Sequence, residues 1–572
     1  MGYLCADRYT KYQGLTVPAF TPSQTSGYAP LYVFFDATAV TDASTSYPFH
    51  SLLYIWDFGD SGAGTYTTGR ESGLSKNVAY GPVAAHLYAS VGTYTVTLTV
   101  FDGYASKFYT YTNCVTVSSQ DSAYPTTATV VVSTSGTFTD KPTGATEVTS
   151  SDFDAVIAAH KGTNKRILFR TGETFTASAA STLAGVTGMT LGKFGGATRP
   201  TIDTAAALAY RLLTLGGSTN TRITDLALSG GQTIDGQDSI LIYDATGSDR
   251  VLVYNCTMAG SEVPIALTAL TSADQFDELA IFENSFTGMG TAISYNVFGA
   301  GSRLGVLGNT FANPGGTHHL RLTWVQGGAV SCNTFTGGVS DRDQIKLHAH
   351  TYAADTDYTE EVVISDNSFA PEGTQCVAIG PQNNTADERV RNVICERNLT
   401  VSATTSSQTA VNIWAQLCTV RNNVSDTSTS SNTSKPIIVE QRGVEPAPSS
   451  VWVYANSFYT TKAVPSGQYE PIYVGAGCVS IIAENNIAYA PNATSPVMIT
   501  DNSGGGLTQS NNSTASQVKN TDPYASKTTF TPQDYALTAG DTAVPVFDDY
   551  DSVRRSYGNK TPVIDMGAVQ TS

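Results

Sequence analysis

One short phrase repeats along the second half of the chain: alternating apolar residues, a polar residue, and then Asn-x-Phe. Clear copies lie at residues 279–286, 304–311, 329–335, 362–369 and 451–458. Counted from Asn284, the Asn recurs at positions 309, 333, 367, 398, 422, 456 and 485, with spacings of 25, 24, 34, 31, 24, 34 and 29 residues. Repeats of this period are typical of solenoids, and one coil of a three-sided solenoid needs about this many residues. The repetition therefore predicts a stack of coils.

The repeated Asn and Phe each have a physical role in such a stack. A sharp bend between two strands leaves backbone groups unpaired, and an inward Asn amide can satisfy them while bonding to the Asn above and below. The Phe that follows would fill the core. We expect an Asn ladder that contains Asn284, Asn309, Asn333, Asn367 and Asn456. We also expect one continuous ring stack of Phe286, Phe311, Phe335, Phe369 and Phe458.

Composition narrows the class of protein. The chain has 572 residues and a formal net charge of −17, which argues against nucleic acid as the partner. A hydrophobic content of 41% argues against disorder, and no run reaches the roughly 18 apolar residues of a membrane span. Charged residues are only 14%, against about 25% in an average soluble domain, as expected for an extracellular β-rich surface. No secretory signal pattern is visible, so we expect a removed signal or another export route.

The eight cysteines include no CxxC pair and no spacing typical of a metal site. We therefore expect most of them to be reduced and buried. No cofactor is required by the sequence. Ca²⁺ would be compatible with the predicted fold, although no acidic cluster forms a clear calcium motif.

Residues 29–118 carry short strand patterns separated by turn clusters. Apolar or alternating runs lie at residues 31–35, 52–56 and 94–100, which predicts a small antiparallel sandwich. Phe35-Asp-Ala, Trp56-Asp-Phe-Gly-Asp60 and the stretch from His86 to Val100 resemble the strand signatures of a PKD domain, an immunoglobulin-like β-sandwich. A long insertion between Asp60 and His86 departs from the shortest members of that family.

The segments on either side of this sandwich lack a strand period. Residues 1–28 are predicted to be an N-terminal arm, ordered only against a neighbouring chain or against their own sandwich. Residues 119–150 are predicted to be a linker.

The region from residue 151 onward begins with a short amphipathic helix. Ser151 is its expected N-cap, and Phe153, Val156 and Ile157 form its apolar face. A helix followed by strands resembles the N-terminal cap of right-handed parallel β-helix proteins, of the pectate-lyase-like and phage tailspike type. Residues 546–572 resemble the closing segment of many secreted β-helix proteins. The predicted fold is therefore all-β, with an Ig-like sandwich followed by a β-helix of roughly eleven coils over residues 151–545.

The strands that follow the repeated phrase can be aligned from coil to coil. One outward column would then contain Ala266, Ser294, Arg321, Lys346, Ala378 and Asn412. The column two residues further on would contain Thr268, Asn296, Thr323, His348, Gly380 and Trp414. His319 and Gln344 would lie on the other side, and four of the seven histidines (His318, His319, His348 and His350) fall in two coils. A cluster of cations and imidazoles is therefore expected on rungs about 4.8 Å apart.

Such a cluster would suit an acidic polysaccharide. Arg321 would bind a uronate or sulfate in a bidentate manner, Lys346 would neutralise the charge that builds as a proton leaves, and His348 or Lys346 would act as the base. This is β-elimination, which resembles the chemistry of lyases on this fold. The predicted substrate-binding residues are His319, Gln344, His350, Asn412 and Trp414. A solvated ladder of charges, with Asp341 and Asp343 pairing with Arg342 or Lys346, is the simpler alternative.

Two classes of function stay open at this stage. The first is a structural, surface-exposed protein of a phage-like particle or extracellular appendage, resembling tailspikes and fibres, which contacts glycans through its β-helix. It would assemble with other subunits through the N-terminal arm, and a homotrimer is worth testing. The second is an exported polysaccharide lyase. A glycoside hydrolase would need two carboxylates roughly 5–10 Å apart, and the acidic loop after the cluster offers Asp355, Asp357, Glu360 and Glu361.

Overall fold

The computed structural model has a β-sandwich followed by a parallel β-solenoid, which confirms the predicted fold class. The structure describes residues 14–102, 106–204, 211–230, 239–267, 276–288, 295–312, 316–339, 342–349, 358–372, 375–381, 389–402, 409–429, 435–443, 446–464, 469–490, 492–494, 497–510 and 512. The predicted closing segment, residues 546–572, lies outside the described residues, as do Cys5 and His350.

The sandwich has a five-stranded and a two-stranded sheet. The five strands, in spatial order, are Ser26–Tyr28, Ser106–Ser118, Gly92–Phe101, Leu53–Asp57 and Val78–Tyr80. The second sheet pairs Leu31–Asp36 with Val83–Tyr88 in antiparallel fashion. Alternation along Gly92–Phe101 buries Tyr94, Val96, Leu98 and Val100 in the core between the sheets. A short helix, Pro48–Ser51, precedes the third strand of the domain.

Residues 14–28 belong to the sandwich itself. Leu15 and Phe20 are buried in its core, and the Phe20 ring meets the Trp56 ring edge-on at a centroid distance of 5.0 Å. Strand Ser26–Tyr28 pairs in parallel with Ser106–Ser118. The boundary predicted at residue 28 therefore does not separate an arm from the domain, because the apolar residues of this segment complete the core.

The predicted linker also carries regular structure. It contains the helix Gln120–Ala123, the 3₁₀ turn Thr126–Ala128, and the strands Thr129–Ser133 and Thr146–Thr149, which already belong to the solenoid. The capping helix is Phe153–His160, and Asp152, rather than the predicted Ser151, accepts the capping hydrogen bond from the Ala155 amide.

The solenoid has three faces, and its strands pair in parallel from coil to coil. Face A consists of Thr129–Ser133, Thr146–Thr149, Arg166–Arg170, Thr190–Phe194, Thr219–Thr224, Asp249–Tyr254, Phe276–Phe282, Thr359–Ser365, Val390–Glu396, Gln416–Arg421, Ser449–Tyr454, Val479–Glu484 and Leu507–Ser510. Face B consists of Ser181–Thr182, Arg211–Thr214, Ile240–Asp244, Val263–Leu267, Asp343–His348, Gln375–Ile379, Thr409–Ile413, Ile437–Val439, Ile472–Val474 and Ile499–Asp501. The long strands Val297–Leu307 and Leu320–Ser331 run across the corner and serve both faces.

Face C is a separate sheet, with 12 strands among the residues that the structure describes, close to the predicted number of coils. Its strands are Thr174–Thr176, Thr201–Thr204, Ala227–Gly230, Thr257–Ala259, Ser285–Thr287, Thr310–Ala312, Thr334–Thr336, Ser368–Ala370, Leu399–Val401, Val424–Asp426, Ser457–Tyr459 and Ile487–Tyr489.

The Asn ladder forms as predicted, with a correction to its register. In each coil the Asn Oδ1 accepts from the backbone N–H and from Nδ2 of the ladder Asn in the preceding coil, as in the pair Asn309 and Asn333 at 2.9 Å for both bonds. The ladder runs through Asn284, Asn309, Asn333, Asn367, Asn398, Asn423, Asn456, Asn486 and Asn512. The sequence analysis placed Asn422 and Asn485 in the ladder. Each of them instead directly precedes the ladder residue of its coil and adopts the left-handed backbone conformation.

The ring stack is shorter than predicted. Phe286, Phe311, Phe335 and Phe369 stack in succession with centroid distances of 4.7, 4.9 and 5.0 Å. Two coils with Thr400 and Ser425 at the equivalent inward position then separate these rings from Phe458. The predicted continuous stack is therefore interrupted.

The sandwich packs directly against face A. Its two-stranded sheet contributes Tyr32 and Phe34 to an apolar interface, where the Tyr32 ring lies 5.6 Å from that of Phe282. At Gly81, which has φ of +105°, a Cβ would lie 2.9 Å from Val363 Cγ2, so the close approach of the two domains requires glycine. Face A is therefore covered over several coils, and face B is a different side of the solenoid.

Candidate functional site

Face B brings together the cations that the sequence placed on adjacent rungs. Arg321 pairs in register with Lys346, and Thr323 pairs with His348. Lys346 is followed in the same column by Ala378 and Asn412 on the next two coils. We call the outward residues Tyr295, Phe298, Arg321, Asp343, Lys346, His348, Trp414 and Arg442 the face B cluster.

The sequence analysis misaligned, by four residues, the strand that precedes that of Arg321 in the stack. Phe298, not Ser294, pairs with Arg321, and Ala300, not Asn296, pairs with Thr323. The connection that follows Asn284 is longer than the sequence alignment assumed, so the alignment placed the next strand too early in the chain. Ser294 and Thr268 lie outside the described residues. The correction puts an aromatic ring beside Arg321.

Arg321 is held from three sides. Its Nε donates to Nε2 of His348 at 3.2 Å, and its Nη1 donates to the Tyr295 hydroxyl at 2.5 Å. The guanidinium also lies 5.2 Å from the ring centroid of Phe298. The sequence analysis missed Tyr295 and Phe298 as members of the site, because it misaligned their strand with that of Arg321.

Lys346 and Trp414 form the second half of the cluster. Lys346 Nζ lies 3.5 Å from Asp343 Oδ2 and 4.5 Å from the Trp414 ring centroid. The Arg442 guanidinium lies 4.1 Å from the same ring, and Trp414 Nε1 donates to the Pro381 carbonyl at 2.8 Å. Trp414 is only 1% exposed, so its ring is enclosed by two cations rather than open to a sugar.

Burial changes the acid–base properties of these groups. It lowers the pKa of His348 well below its ordinary value, and Arg321 and Lys346 lower it further. Burial also lowers the pKa of Lys346, against the opposing effect of Asp343, whose own pKa burial raises. His348 is therefore neutral, and its Nε2 already accepts a hydrogen bond from Arg321. Lys346, whose pKa is lowered, is the better candidate for a base.

The neighbouring histidines are buried as well. His318 Nδ1 lies 2.9 Å from the Asp343 carbonyl, and burial lowers the pKa of His318 to about 3. His319 packs between the rings of Phe311 and Phe335, with Nε2 3.0 Å from the Thr336 carbonyl, and burial lowers its pKa to about 3. His319 therefore points into the solenoid and contributes to the core.

Gln344 and Asn412, two predicted binding residues within the described part of the chain, are buried and form hydrogen bonds within the protein. Gln344 Nε2 donates to the Gly337 carbonyl at 2.7 Å, and Asn412 Nδ2 donates to Gln375 Oε1 at 3.2 Å. Both side chains belong to residues that are at most 1% exposed. In this conformation neither can contact a ligand directly.

Of the four acids offered for a hydrolase, the two that the structure describes, Glu360 and Glu361, lie on face A and not on face B. Asp355 and Asp357 lie outside the described residues. Glu360 lies on face A and pairs with Arg391 at 2.7 Å. Glu361 follows it there, and burial, together with the nearby charge of the sandwich residue Asp36, raises the pKa of Glu361 to about 7. These two carboxylates therefore do not complement the face B cluster.

A further cation and aromatic pair lies four coils beyond Lys346 in the same column. Lys435 Nζ is 3.8 Å from the Tyr473 ring centroid and 2.9 Å from Glu470 Oε2. At the other end of face B, the Arg211 guanidinium lies 3.4 Å from the Tyr243 ring. Outward aromatic rings with cations on them therefore recur along this face.

Within the described ranges, no group of three or more His, Cys, Asp or Glu side chains is placed to hold a metal ion. In the same part of the chain, none of the helices has the length and apolar character needed to span a membrane.

Comparisons with known proteins agree with this architecture. Residues 21–115 match the PKD domain model, which confirms the resemblance of the sandwich and starts it before residue 29. No protein of curated function matches the sequence significantly. The chain contains a PKD domain followed by a parallel β-helix.

Three solved structures illustrate the likeness of fold. Bacteriophage phi29 pre-mature gene product 12 is 13% identical, with 62% of this chain and 54% of that chain covered and a TM-score of 0.39. A mutant tailspike protein of E. coli bacteriophage HK620 is 12% identical, with 68% and 72% covered and a TM-score of 0.37. Pectate lyase Pel9A is 14% identical, with 78% and 96% covered and a TM-score of 0.29. The chain thus spans little more than half of gene product 12.

Proposed function

We propose that this protein is a tailspike-like or fibre-like structural protein, exposed on a virion or an extracellular appendage, that binds an acidic glycan through face B. The observation that carries the proposal is the face B cluster. Three cations, Arg321, Lys346 and Arg442, converge on aromatic rings on one side of a chain whose net charge is −17. Cations bind carboxylates and sulfates, and the partly exposed rings of Tyr295 and Phe298, unlike the enclosed ring of Trp414, can pack against sugar faces.

The bonds within the cluster favour binding over catalysis. His348 Nε2 already accepts from Arg321, so His348 cannot take a proton from a substrate while that bond is in place. Lys346 faces Asp343, whose charge favours the protonated lysine and opposes the lowering of its pKa by burial. A charged, prearranged surface of this kind would retain a polyanion without needing a proton acceptor.

Retention on immobilised acidic polysaccharides tests the proposal. We expect alginate and polygalacturonate to retain the protein in a salt-dependent manner, and neutral dextran to fail to do so. Arg321→Gln and Lys346→Gln should each weaken retention at least about fivefold, because each removes a charge-assisted hydrogen bond. Equal retention on neutral and acidic polymers would contradict the proposal.

Lys193→Gln is a matched control for Lys346→Gln. Lys193 lies on face A, its side chain is 20% exposed against 19% for Lys346, and it lies 4.0 Å from Asp225. Loss of one positive charge is common to both variants. If Lys193→Gln weakened retention as much as Lys346→Gln, net charge rather than face B would be responsible.

A polysaccharide lyase is the second candidate, and the depressed pKa of Lys346 is the observation that favours it. A lysine with a lowered pKa is a better base at neutral pH. Incubation with the same acidic polymers would then release an unsaturated product that absorbs in the ultraviolet. Lys346→Ala should lower its formation by at least about a hundredfold. Absence of product, together with salt-dependent retention, would leave binding as the function.

Assembly with other subunits, including a homotrimer, is the remaining element of the proposal. Residues 14–28 are part of the sandwich, so a contribution of the N-terminus to assembly would come from residues 1–13. Light scattering of the full chain and of a chain lacking residues 1–13 would test this. A monomer in both cases would contradict the assembly role.

A further inference from the structure

A cavity lies between the sandwich and face A. It has a volume of about 290 Å³, at the lower end of the roughly 300–1,000 Å³ typical of small-molecule sites. Its inner walls are apolar and include Phe58, Val83, Ala84, Leu307 and Ala329. The insertion between Asp60 and His86 closes one side of it, and the proposed glycan-binding face is not involved.

Four charged residues line this cavity, Arg70, Glu71, Lys76 and Asp366, and the side chain of Arg70 is the most deeply buried of them. The Arg70 side chain is 1% exposed, and its Nε donates to Asp366 Oδ1 of the solenoid at 3.0 Å. Its Nη2 lies 3.1 Å from Oε1 of Glu71, whose side chain is 50% exposed. Asp366 thus orients the guanidinium from inside, and Glu71 reaches it from the solvent side.

Glu71 occupies the place that a ligand carboxylate would take. Its half-exposed side chain can turn into solvent at little cost, because exposed ion pairs contribute little stability. A ligand carboxylate in the same place would keep the charge balance around Arg70 and would gain a guanidinium already oriented for it. The apolar walls would then enclose the rest of the ligand.

We propose that this cavity binds a small, ring-bearing monocarboxylate, with the ring among the apolar residues and the carboxylate on Arg70 in place of Glu71. The site combines residues from both domains, and it is independent of the glycan proposed for face B. The site would recognise the ligand by its single carboxylate and its apolar ring.

Calorimetric titration with 3-phenylpropanoate and with its neutral isostere 3-phenylpropanamide tests the proposal on the full chain. The acid should bind at least about tenfold more tightly than the amide, as expected for a charge-assisted contact. Glu71→Gln removes the competing carboxylate and should tighten binding of the acid by about 1.5- to 5-fold. Equal binding of acid and amide, or no binding of either, would overturn the proposal.

Three further variants locate the binding. Glu147→Gln is the matched control, since Glu147 is 48% exposed and paired with Lys141 at 3.4 Å far from the cavity, and it should leave affinity unchanged. Ala329→Leu fills the cavity and should abolish binding, with Ala79→Val as a smaller filling change if the first disturbs folding. Binding that survives both filling variants would contradict the site, as would equal effects of Glu71→Gln and Glu147→Gln.

Discussion

Arg321 Nε donates a hydrogen bond to His348 Nε2 at 3.2 Å, and this bond joins two adjacent coils of face B. An arginine Nε is only a donor, so His348 Nε2 must be the acceptor and the imidazole proton must be on Nδ1. Nδ1 faces the Ala349 carbonyl at 3.4 Å. The sequence analysis gave Arg321 and His348 separate catalytic roles. In the structure their side chains are hydrogen-bonded to each other instead.

This bond predicts the ionisation of His348. Nitrogen NMR should find His348 neutral, with its proton on Nδ1, throughout pH 5 to 8, because burial and Arg321 both lower its pKa. Arg321→Gln should raise that pKa. Arg391→Gln, which removes a partly exposed arginine on face A, is the control and should have no effect. A His348 that titrates near pH 6.5 in the parent protein would contradict this geometry.

The corrected register of the Asn ladder makes a second prediction. Asn423→Ala should lower the free energy of unfolding by about 2–4 kcal/mol, since it leaves buried backbone groups of neighbouring coils unpaired. Asn422→Gly should cost about 1 kcal/mol or less, because glycine accepts the left-handed conformation of this position. Urea unfolding measures both. A larger loss of stability for Asn422→Gly than for Asn423→Ala would support the register predicted from the sequence.

The ring stack predicts a large loss at its centre. Phe311 lies between Phe286 and Phe335, so Phe311→Ala should lower the free energy of unfolding by about 3–5 kcal/mol through lost contacts and the cavity left behind. Phe108→Ala is the control, because Phe108 is 71% exposed on the sandwich, and it should change stability by less than about 0.5 kcal/mol. Similar losses for both variants would argue against the stack.

Much of the solenoid could be predicted because its repeat is local. Each coil repeats the same short phrase, so the ladder, the rings and the rungs of Arg321 and Lys346 followed from spacing alone. The register failed at Asn422 and Asn485 because each begins an Asn-Asn pair, and both the left-handed bend and the ladder position favour Asn. Spacing alone cannot tell the two apart.

The site was less predictable because its shape depends on contacts between distant residues. Variable connections between coils shifted Phe298 relative to Arg321, and alternation did not reveal that His319 turns inward at a corner. Docking of the sandwich was not predicted either. Arg70 and Asp366 are 296 residues apart, and no local pattern links them.

The contacts between the two domains predict that substitution of Asp366 strongly lowers the stability of the protein. Asp366 accepts from Arg70 Nε at 3.0 Å and from Arg397 Nε at 3.2 Å, and all three side chains are buried. Asp366→Asn removes the buried carboxylate that Arg70 and Arg397 share and leaves them only their contacts with Glu71 and Glu396, so it should cost about 3–5 kcal/mol. Hydrogen exchange in strand Val83–Tyr88 should accelerate as the sandwich loosens.

A matched pair on the same face provides the control for Asp366. Glu360→Gln breaks the more exposed contact with Arg391 at 2.7 Å and should cost less than about 1 kcal/mol. If Asp366→Asn were equally mild, with unchanged exchange in Val83–Tyr88, the buried ion pairs would not hold the two domains together.

The buried histidines predict loss of stability in mild acid. Burial lowers the pKa of His50, His318 and His319 to about 3, below the unfolded value of about 6.5, so below pH 6.5 the unfolded chain binds more protons than the folded one. Each such histidine lowers the free energy of unfolding by about 1.4 kcal/mol per pH unit between pH 6.5 and 3. Glu361, with a raised pKa of about 7, opposes one of them above pH 4.5. The free energy of unfolding, measured in urea, should therefore fall from pH 7.5 to 6.0 and 5.0. His50→Gln should reduce the slope of this fall by the contribution of one histidine, about 1.4 kcal/mol per pH unit below pH 6.5. A slope unchanged by His50→Gln would mean that His50 is not the buried neutral group described.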